Sequence, residues 1–378
     1  MIRSRAAEGH ASYYNRKSLK MRVLSFKEFM SQALYDPEIG YYAGPKNPVG
    51  EDGDFITSPR ISEVFGFALA GLVSEFLARQ GDAVCSIVDI GCGDGTLLRQ
   101  LASSLSVREH GQAHFFGVDR NLSRVQGGEK PGEQIDFVTS VEVVPQQNPA
   151  LVIANELFDA LPFARLVQRQ DGLHELWVRE EDGRREWVEL PAPHYFQTYF
   201  AEREIKLVAG QFADVALEWG ELYESICRIA DRAMIVTIDY GFADRQLFDP
   251  RIRRFGTAAA FRHHAVHRDL LAEPGNQDLT AHINFSDLRR SGERSGFQTL
   301  LFSRQAEFLL RLGITEHPLF TPVQDLPFDN LLDASVELEK RQAARRLVLP
   351  DGIGQEMRVL VQSRNLPESE WSFQRKLF

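Results

Sequence analysis

A glycine-rich turn is the segment of this sequence that is best suited to approach a ligand. Gly91, Gly93 and Gly95 are each separated by one residue, and they follow the apolar run Val84–Ile90. Glycine lacks a Cβ, so these positions permit a tight turn and a close approach of a ligand to the backbone. The free amides of a helix that begins at the turn favour an anionic group. The pattern predicts a strand, a binding turn and a helix.

The spacing of the glycines and of the next acid discriminates between two adenosine cofactors. A dinucleotide fingerprint has its third glycine one residue later than this turn has it. Asp119 ends the next apolar run, where a carboxylate can accept hydrogen bonds from both ribose hydroxyls. We therefore expect S-adenosylmethionine (SAM), with an NAD-dependent oxidoreductase or a turn without a ligand as alternatives. Asp89 is expected to order the turn or to meet the methionine ammonium, unless it only caps the turn.

Two acids after another apolar run could act on a methyl acceptor. Methyl transfer from SAM is an in-line displacement, so the protein mainly aligns a nucleophile and manages its proton. Glu156 and Asp159 follow the run Ala150–Ala154 and share one face if a helix starts there. Two carboxylates could bind the N–H groups of a guanidinium. Alternatively, they only favour a helix N-terminus.

Three more residues are candidates for the acceptor site. Asp239 and Tyr240 follow the run Ala233–Ile238 and are predicted to contact the substrate, unless they simply end a buried strand. His282 is a candidate proton acceptor, although a packed core histidine is equally consistent with its position.

The runs that carry these residues predict a doubly wound α/β fold. They are too apolar for strands with one solvated face and indicate parallel strands that are buried on both sides; they are Val84–Ile90, Ala113–Val118, Ala150–Ala154 and Ala233–Ile238. A leucine stripe that begins at Leu97 predicts a helix after the first run. Because right-handed crossovers place the strand ends on one edge, ligands are expected there. The prediction is a Rossmann-like, seven-stranded methyltransferase sheet.

The remaining segments predict an N-terminal helical extension and an inserted substrate region. We expect Ser58 to cap one long helix that has Pro59 at its first position and continues to Phe76. Alternation around Asp171 and Asp182 predicts β-hairpins. The other expected elements are helices over 26–34 and 212–231 and closing strands over 300–303 and 356–361, with a mostly helical stretch between those strands.

These elements divide the chain into five regions. They are a flexible arm (1–24), a helical extension with a cofactor-covering loop (25–80), the first half of the SAM-binding core (81–159), inserted hairpins and helices (160–232), and the second half of the core (233–378) with a lid insertion at about 241–284.

Composition limits the classes of partner and compartment. The net charge of −10 disfavours nucleic-acid binding, because phosphates require a surplus of cations. No apolar run is long enough to span a bilayer. His263, His264 and His267 lack an acid or cysteine at ligand spacing, so we predict no metal site. We expect a soluble, cytoplasmic protein, or one of the mitochondrial matrix if the source is eukaryotic; the oligomeric state is left open.

Several ordered motifs in residues 25–315 resemble the MidA-like family of SAM-dependent methyltransferases. They are Asp36-Pro37 with Gly40-Tyr41-Tyr42, Gly53-Asp54-Phe55-Ile56-Thr57-Ser58-Pro59, Ala154-Asn155-Glu156-Leu157-Phe158-Asp159-Ala160-Leu161-Pro162, Asp239-Tyr240-Gly241, Asp278-Leu279-Thr280-Ala281-His282 and Asn284-Phe285-Ser286.

The resemblance implies a cofactor, a reaction and further site residues. Mitochondrial members of the family are complex I assembly factors that dimethylate an arginine, so a protein arginine is the implied acceptor. The resemblance assigns Thr57, Ser58 and Pro59 to a segment that covers the cofactor, and it adds Asn155 as a cofactor contact. The chain departs from the family's usual G-P-G-R-G turn with Gly91-Cys92-Gly93-Asp94-Gly95. A small-molecule O- or N-methyltransferase and a non-catalytic SAM-binding assembly factor remain the alternatives.

Overall fold

A central mixed sheet carries the fold of this protein. The computed structural model describes residues 21–43, 57–125, 135–262, 265–321, 331–368 and 370–375. Its strands are β1 (Arg22–Ser25), β2 (Cys85–Ile90), β3 (Ala113–Val118), β4 (Ile135–Val138), β5 (Ala150–Asn155), β6 (Ala164–Arg169), β7 (Gly172–Glu181), β8 (Arg184–Pro191), β9 (Phe212–Val215), β10 (Ala233–Phe242), β11 (Ala259–Arg262), β12 (Ala265–His267), β13 (Asp278–Thr280), β14 (Ile283–Asn284), β15 (Gln298–Arg304) and β16 (Met357–Arg364).

The helices lie on both faces of this sheet and around its edges. They are α1 (Phe26–Tyr35), α2 (Ser58–Ile61), α3 (Val64–Arg79), α4 (Thr96–Ser104), α5 (Val107–His110), α6 (His194–Glu202), α7 (Glu218–Cys227), α8 (Asp244–Leu247), α9 (Phe285–Arg294), α10 (Gln305–Arg311), α11 (Leu331–Arg346) and α12 (Ile353–Glu356).

The central sheet has the strand order β15-β16-β10-β5-β2-β3-β4, with the short β14 also paired to β10. The pairs among β2, β3, β4, β5 and β10 are parallel, whereas β16 is antiparallel to both of its neighbours. The doubly wound α/β prediction is confirmed. β14 adds an eighth strand to the seven that the sequence predicts.

Alternating side chains of the central strands enter two separate cores. Val88, Ile90 and Val152 belong to one hydrophobic cluster, while Ile87 and Ile153 belong to the other. Successive side chains of a strand point to opposite faces, so each strand supplies both cores. This two-sided burial explains why the runs are almost continuously apolar.

The inserted region forms a second sheet in the order β1-β7-β6-β9, with β8 paired to the free side of β7. The hairpins predicted around Asp171 and Asp182 are confirmed as β6–β7 and β7–β8. β1 pairs with the second half of β7, so Arg22–Leu24, the end of the predicted flexible arm, form a strand instead. Residues 1–20 of that arm lie outside the described residues.

Two predicted helices are wrong in their extent. Phe212–Val215 form β9, and only Glu218–Cys227 are helical, because β9 pairs with β6 and its Ala213 and Val215 join the hydrophobic cluster of the inserted sheet. The long helix predicted from Ser58 to Phe76 breaks at Ser62, which has an extended backbone. α2 and α3 are therefore separate helices.

The region after β10 is more regular than the sequence suggests. β11, β12 and β13 form a three-stranded sheet within the predicted lid insertion. β15 and β16 confirm the predicted closing strands, and α10, α11 and α12 lie between them. In the described part of the chain, no helix is long and apolar enough to cross a membrane.

Candidate active site

The glycine turn joins β2 to α4 in a backbone conformation that suits glycine. Gly91, Gly93 and Gly95 have φ values of 77°, 56° and 78°. A Cβ at Gly93 would meet no described atom within 4 Å, so this residue borders open space. A Cβ at Gly95 would lie 2.7 Å from the ring of Phe137. Gly95 therefore serves the turn and its packing, and it does not line the cavity that Gly91 and Gly93 line.

Asp119 fixes the turn from the end of β3. One carboxylate oxygen accepts a hydrogen bond from the Gly93 amide at 3.0 Å, and the other accepts one from Asn121 at 2.9 Å. Each carboxylate oxygen retains a further lone pair. Asp119 lines the cavity, so these lone pairs can accept hydrogen bonds from the hydroxyls of a ribose.

Asp89 is buried at the end of β2. Burial raises its pKa to about 7, and the charges of Asp119 and Asp94 add to the shift. A nearby cation would lower that pKa again, because it favours the charged form. Asp94 is less available to a cationic ligand than Asp89. It already pairs with Arg60 of α2 and accepts a hydrogen bond from the Thr96 amide.

One cavity of about 900 Å³ opens at the carboxyl ends of the parallel strands. Its walls contain most of the residues that the sequence predicts for the site, namely Asp89, Gly91, Gly93, Asp119, Asn155, Thr57, Pro59, Glu156, Asp159, Tyr240 and His282.

Glu156 lies directly after β5 in a strained backbone conformation. Its φ of 51° is uncommon for a residue with a side chain, and such strain concentrates at functional sites. Its amide donates to the Ile238 carbonyl, and its Oε1 accepts hydrogen bonds from the Ser58 amide and the Asn155 side chain. Burial, with a contribution from Asp159, raises the pKa of Glu156 to about 8.

Asp159 lies on the same cavity wall as Glu156. Burial raises its pKa to about 7. Its backbone carbonyl accepts from the Ala281 amide at 3.1 Å, which ties this turn to the segment before His282. The turn has no helix after it, so the predicted helical spacing of the two acids is wrong, although both acids do face one cavity.

Asp239 lies beneath the site and does not face the substrate. It is fully buried, and its carboxylate accepts hydrogen bonds from the amides of Phe158, Asp159 and Tyr240 at 2.9, 3.4 and 2.7 Å. Burial and the Asp159 charge raise its pKa well above the usual range. The prediction of a substrate contact is wrong for Asp239, which positions the Glu156–Asp159 turn instead.

Tyr240 and His282 form another wall of the cavity. Their rings stack with centroids 6.4 Å apart. Burial and the charges of Arg253 and Arg358 lower the pKa of His282 to about 4. Its Nδ1 is buried without a hydrogen-bond partner among the described residues. The imidazole is therefore held neutral near pH 7, and its Nδ1 is covered by the surrounding described residues.

The N-terminal segment covers the cavity through Thr57 and Pro59. Thr57, and not Ser58, occupies the N-cap position of α2, although its side chain makes no capping hydrogen bond there. Ser58 is fully buried, and its hydroxyl contacts Gln305 and Met357 at 3.3 and 3.5 Å. Only its amide serves the site, through Glu156, so the cofactor contact predicted for the Ser58 side chain is wrong.

Sequence reasoning missed an aromatic and acidic wall. Tyr35 of α1 stacks on Tyr42 at 5.6 Å and donates to the Ala160 carbonyl at 2.9 Å. The Tyr42 hydroxyl donates to Asp278 at 3.0 Å. The motifs around Tyr42 and Asp278 were visible in the sequence, but nothing in their spacing brings them together.

The residues at the strand ends fit SAM. Gly93 leaves room at the backbone, Asp119 presents ribose acceptors, and Asp89 presents a carboxyl whose charged form a methionine ammonium would favour. Asn155 lines the same cavity, and its buried side-chain oxygen has no partner among the described residues.

The described residues contain no group of three or more His, Cys, Asp or Glu side chains that could hold a metal ion. His263 and His264 lie outside the described residues.

Comparison with known proteins decides the family. A model for S-adenosyl-L-methionine-dependent methyltransferases matches residues 68–303. The chain belongs to this family. It is a SAM-dependent methyltransferase, and the NAD-dependent alternative is therefore wrong.

Relatives and solved structures agree with this assignment. The protein arginine methyltransferase NDUFAF7 of Danio rerio is 28% identical, with 88% of this chain and 81% of that protein covered. The Drosophila melanogaster homologue is 30% identical, with coverages of 78% and 72%. A crystal structure of a COG1565 superfamily member from Burkholderia thailandensis with bound S-adenosyl-homocysteine (SAH) has a TM-score of 0.81 at 26% identity, covering 93% of this chain and 91% of that one.

Proposed function

We propose that this methyltransferase acts on an arginine side chain of a protein. The observation that carries the proposal is the pair of carboxyls on the wall of the cofactor cavity, the half-buried Glu156 and the buried Asp159. The relatives from Danio rerio and Drosophila melanogaster are named protein arginine methyltransferases, which supports the same acceptor.

The two carboxyls suit a cation better than a neutral acceptor. Burial keeps both partly protonated near pH 7, and a guanidinium between them would favour their ionised forms. Oε1 of Glu156 already accepts the Ser58 amide, so Oε2 is the oxygen that we assign to the guanidinium. Bidentate contacts would localise the lone pair on the attacking nitrogen and align it.

SAM supplies the methyl group, and the chain must accept the proton that the acceptor nitrogen loses. We assign that proton to the Glu156 carboxylate, whose raised pKa makes it the stronger base of the site. His282 also lines the cavity, but its Nδ1 is buried and its pKa is lowered, so it is a weaker base than Glu156. His282 is therefore better suited to hold a hydrogen bond than a full proton.

The test is a methylation assay with radiolabelled SAM. The protein is incubated with extract from a source strain that lacks its gene, and labelled proteins are hydrolysed to identify the modified amino acid. We expect label in a discrete protein as methylarginine. Label confined to small molecules would refute the proposal and favour a small-molecule acceptor.

A matched variant separates catalysis from binding. Glu156→Gln should abolish the methylarginine signal and still bind SAM, because Glu156 faces the acceptor and Asp119 holds the turn. If the variant restores growth of a knockout as well as the wild type does, the non-catalytic assembly role is favoured instead.

The proposed function also implies a class of partner and a compartment. A polypeptide substrate follows from the proposed acceptor. We propose the mitochondrial matrix as the compartment if the source is eukaryotic, since the names of the relatives include that organelle, and otherwise the cytoplasm.

A further inference from the structure

Three arginines lie beside the His282 wall of the cavity without carboxylate partners. They are Arg253, which follows α8, Arg304 at the end of β15, and Arg358 on β16. Within the described ranges, none of the three forms an ion pair, whereas the nearby Arg251 and Arg290 do. Their side-chain hydrogen bonds go to backbone carbonyls and to one glutamine.

The buried Phe242 ring connects two of these arginines to the cavity wall, and none of the three lines the cavity itself. The guanidinium carbons of Arg253 and Arg358 lie 3.7 and 4.8 Å from the centroid of Phe242. The Phe242 ring is 5.5 Å from the ring of His282, which lines the cavity. Arg253 and Arg358 therefore lie one aromatic ring away from His282, and Arg304 joins them because it is opposite Arg358 in the β15–β16 pair. A polypeptide that inserts a side chain beside His282 would bring residues a few positions away to this cluster.

The charges around Arg358 are mainly repulsive, whereas Asp249 and Glu356 favour the charged form of Arg253. Arg304 and Arg358 are directly opposite in the antiparallel β15–β16 ladder, where like charges destabilise a sheet. Burial, Arg304 and Arg253 lower the pKa of Arg358, while Glu356 opposes the shift. Glu356 is exposed and forms no ion pair with any of the three. An external anion would relieve this repulsion.

We propose that Arg253, Arg304 and Arg358 bind an acidic side chain of the substrate polypeptide, close to the arginine that accepts the methyl group. The proposal rests on the protein arginine methylation proposed above and adds a sequence preference to it. Guanidinium groups bind carboxylates in a bidentate manner. The acids of the cavity would hold the acceptor arginine, and the arginine cluster would hold its acidic neighbour.

The test compares two fluorescent nine-residue peptides with a central arginine. One carries glutamate at the second and third positions on each side, and the other carries glutamine there. Binding to the full chain, saturated with SAH, is followed by fluorescence anisotropy. We expect the glutamate peptide to bind about tenfold more tightly. Because the chain has a net charge of −10, unspecific electrostatics would favour the glutamine peptide.

Variants locate the preference. Arg253→Gln and Arg304→Gln should each remove most of it, while Arg253→Lys, which keeps the charge, should retain part of it. Arg304 is exposed, so its variant leaves the interior intact. Arg108→Gln, an exposed arginine of α5 outside the cavity wall, is the matched control and should change nothing. SAH affinity, measured in parallel, confirms that each variant is folded.

Equal affinity of the wild type for both peptides, or binding of neither, overturns the proposal. The proposal is also overturned if both Arg253→Gln and Arg304→Gln still prefer the glutamate peptide. If the glutamate peptide binds preferentially but no arginine is methylated, the proposed arginine acceptor fails while the acidic-residue site stands.

Discussion

At the scale of single residues, Gly93 offers the sharpest test of cofactor binding. An alanine there places a Cβ in the open space of the cavity. We expect Gly93→Ala to weaken SAM affinity at least about tenfold by blocking approach to the backbone. The measurement is calorimetric titration with SAM.

The hairpin glycine Gly183 provides a control for the backbone strain of that substitution. Its φ of 76° is also positive, and a Cβ there would meet no atom of the described residues within 4 Å. Both alanine variants should lose about 1 kcal/mol of stability, but only Gly93→Ala should lose affinity for SAM. Equal SAM affinity in the two variants would contradict the role of Gly93.

Replacing Glu156 should stabilise the protein, whereas the two glycine substitutions should destabilise it. Its pKa in the folded protein, about 8, exceeds the ordinary 4.5, so ionisation favours the unfolded chain above pH 4.5. Glu156→Gln should therefore raise the free energy of unfolding at pH 8 by about 2 kcal/mol, and by less at pH 5. Denaturant titrations at the two pH values measure this difference; a variant less stable at pH 8 would argue against a half-buried, strained acid.

The sequence predicted these residues unevenly. Gly93, Asp119 and Glu156 could be found because strand ends converge on one edge whatever the details of packing. Ser58 and Asp239 could not be assigned correctly, because the direction in which a side chain points at the end of an element depends on tertiary neighbours. Both lie next to the site in sequence, and both turn inwards.

Among the elements of the fold, β10 supports the Glu156–Asp159 turn. Asp239 accepts hydrogen bonds from two amides of that turn and from one amide of its own strand. Asp239→Ala leaves these buried donors without an acceptor and should lower stability by about 3 kcal/mol. Asp239→Asn, which keeps one acceptor oxygen, should cost less and reduce kcat more than it changes SAM affinity.

Asp231→Ala is the control for removing an acid next to β10. Its side chain is fully exposed beside the other end of that strand. We expect wild-type kcat and stability for this variant. A kcat loss that Asp231→Ala shares with Asp239→Asn would show that the effect does not come from the turn.

The errors at element scale have a common cause. Phe212–Val215 has apolar spacing that suits either a strand or a helix, and its pairing with β6 decides in favour of the strand. β1 has only four residues and depends on β7 for its hydrogen bonds, so it has no local signal. The central strands were predicted because two-sided burial makes them continuously apolar.

At the scale of the whole molecule, the cavity concentrates carboxyls whose pKa values are raised. Burial raises the pKa of Asp89 and Asp159 to about 7 and that of Glu156 to about 8. The fold thus keeps protons at the site that the unfolded chain would release. A cationic ligand can be exchanged for those protons, which couples binding of cofactor and acceptor to pH.

This coupling predicts a loss of stability between pH 6.5 and pH 8. Over this range the unfolded chain has already ionised these carboxyls while the folded chain still holds protons, so the free energy of unfolding should fall, by about 2 kcal/mol. His282 acts in the opposite sense only at lower pH, because its folded pKa of about 4 lies below its ordinary 6.5. Asp249, with a pKa lowered to about 2, contributes nothing to the slope here. Denaturant unfolding across the range measures the decline.

Ligand binding should partly reverse that decline. SAM carries a sulfonium charge that SAH lacks, and both carry an ammonium that can meet Asp89. The thermal shift caused by saturating SAM should therefore be larger at pH 8 than at pH 6.5, since more carboxylate is available to its cationic groups at the higher pH. SAH should show a smaller dependence on pH. Thermal shifts that do not change with pH would mean that the carboxyls with raised pKa values face away from the bound cofactor. Asp89 would then not be the partner of the methionine ammonium.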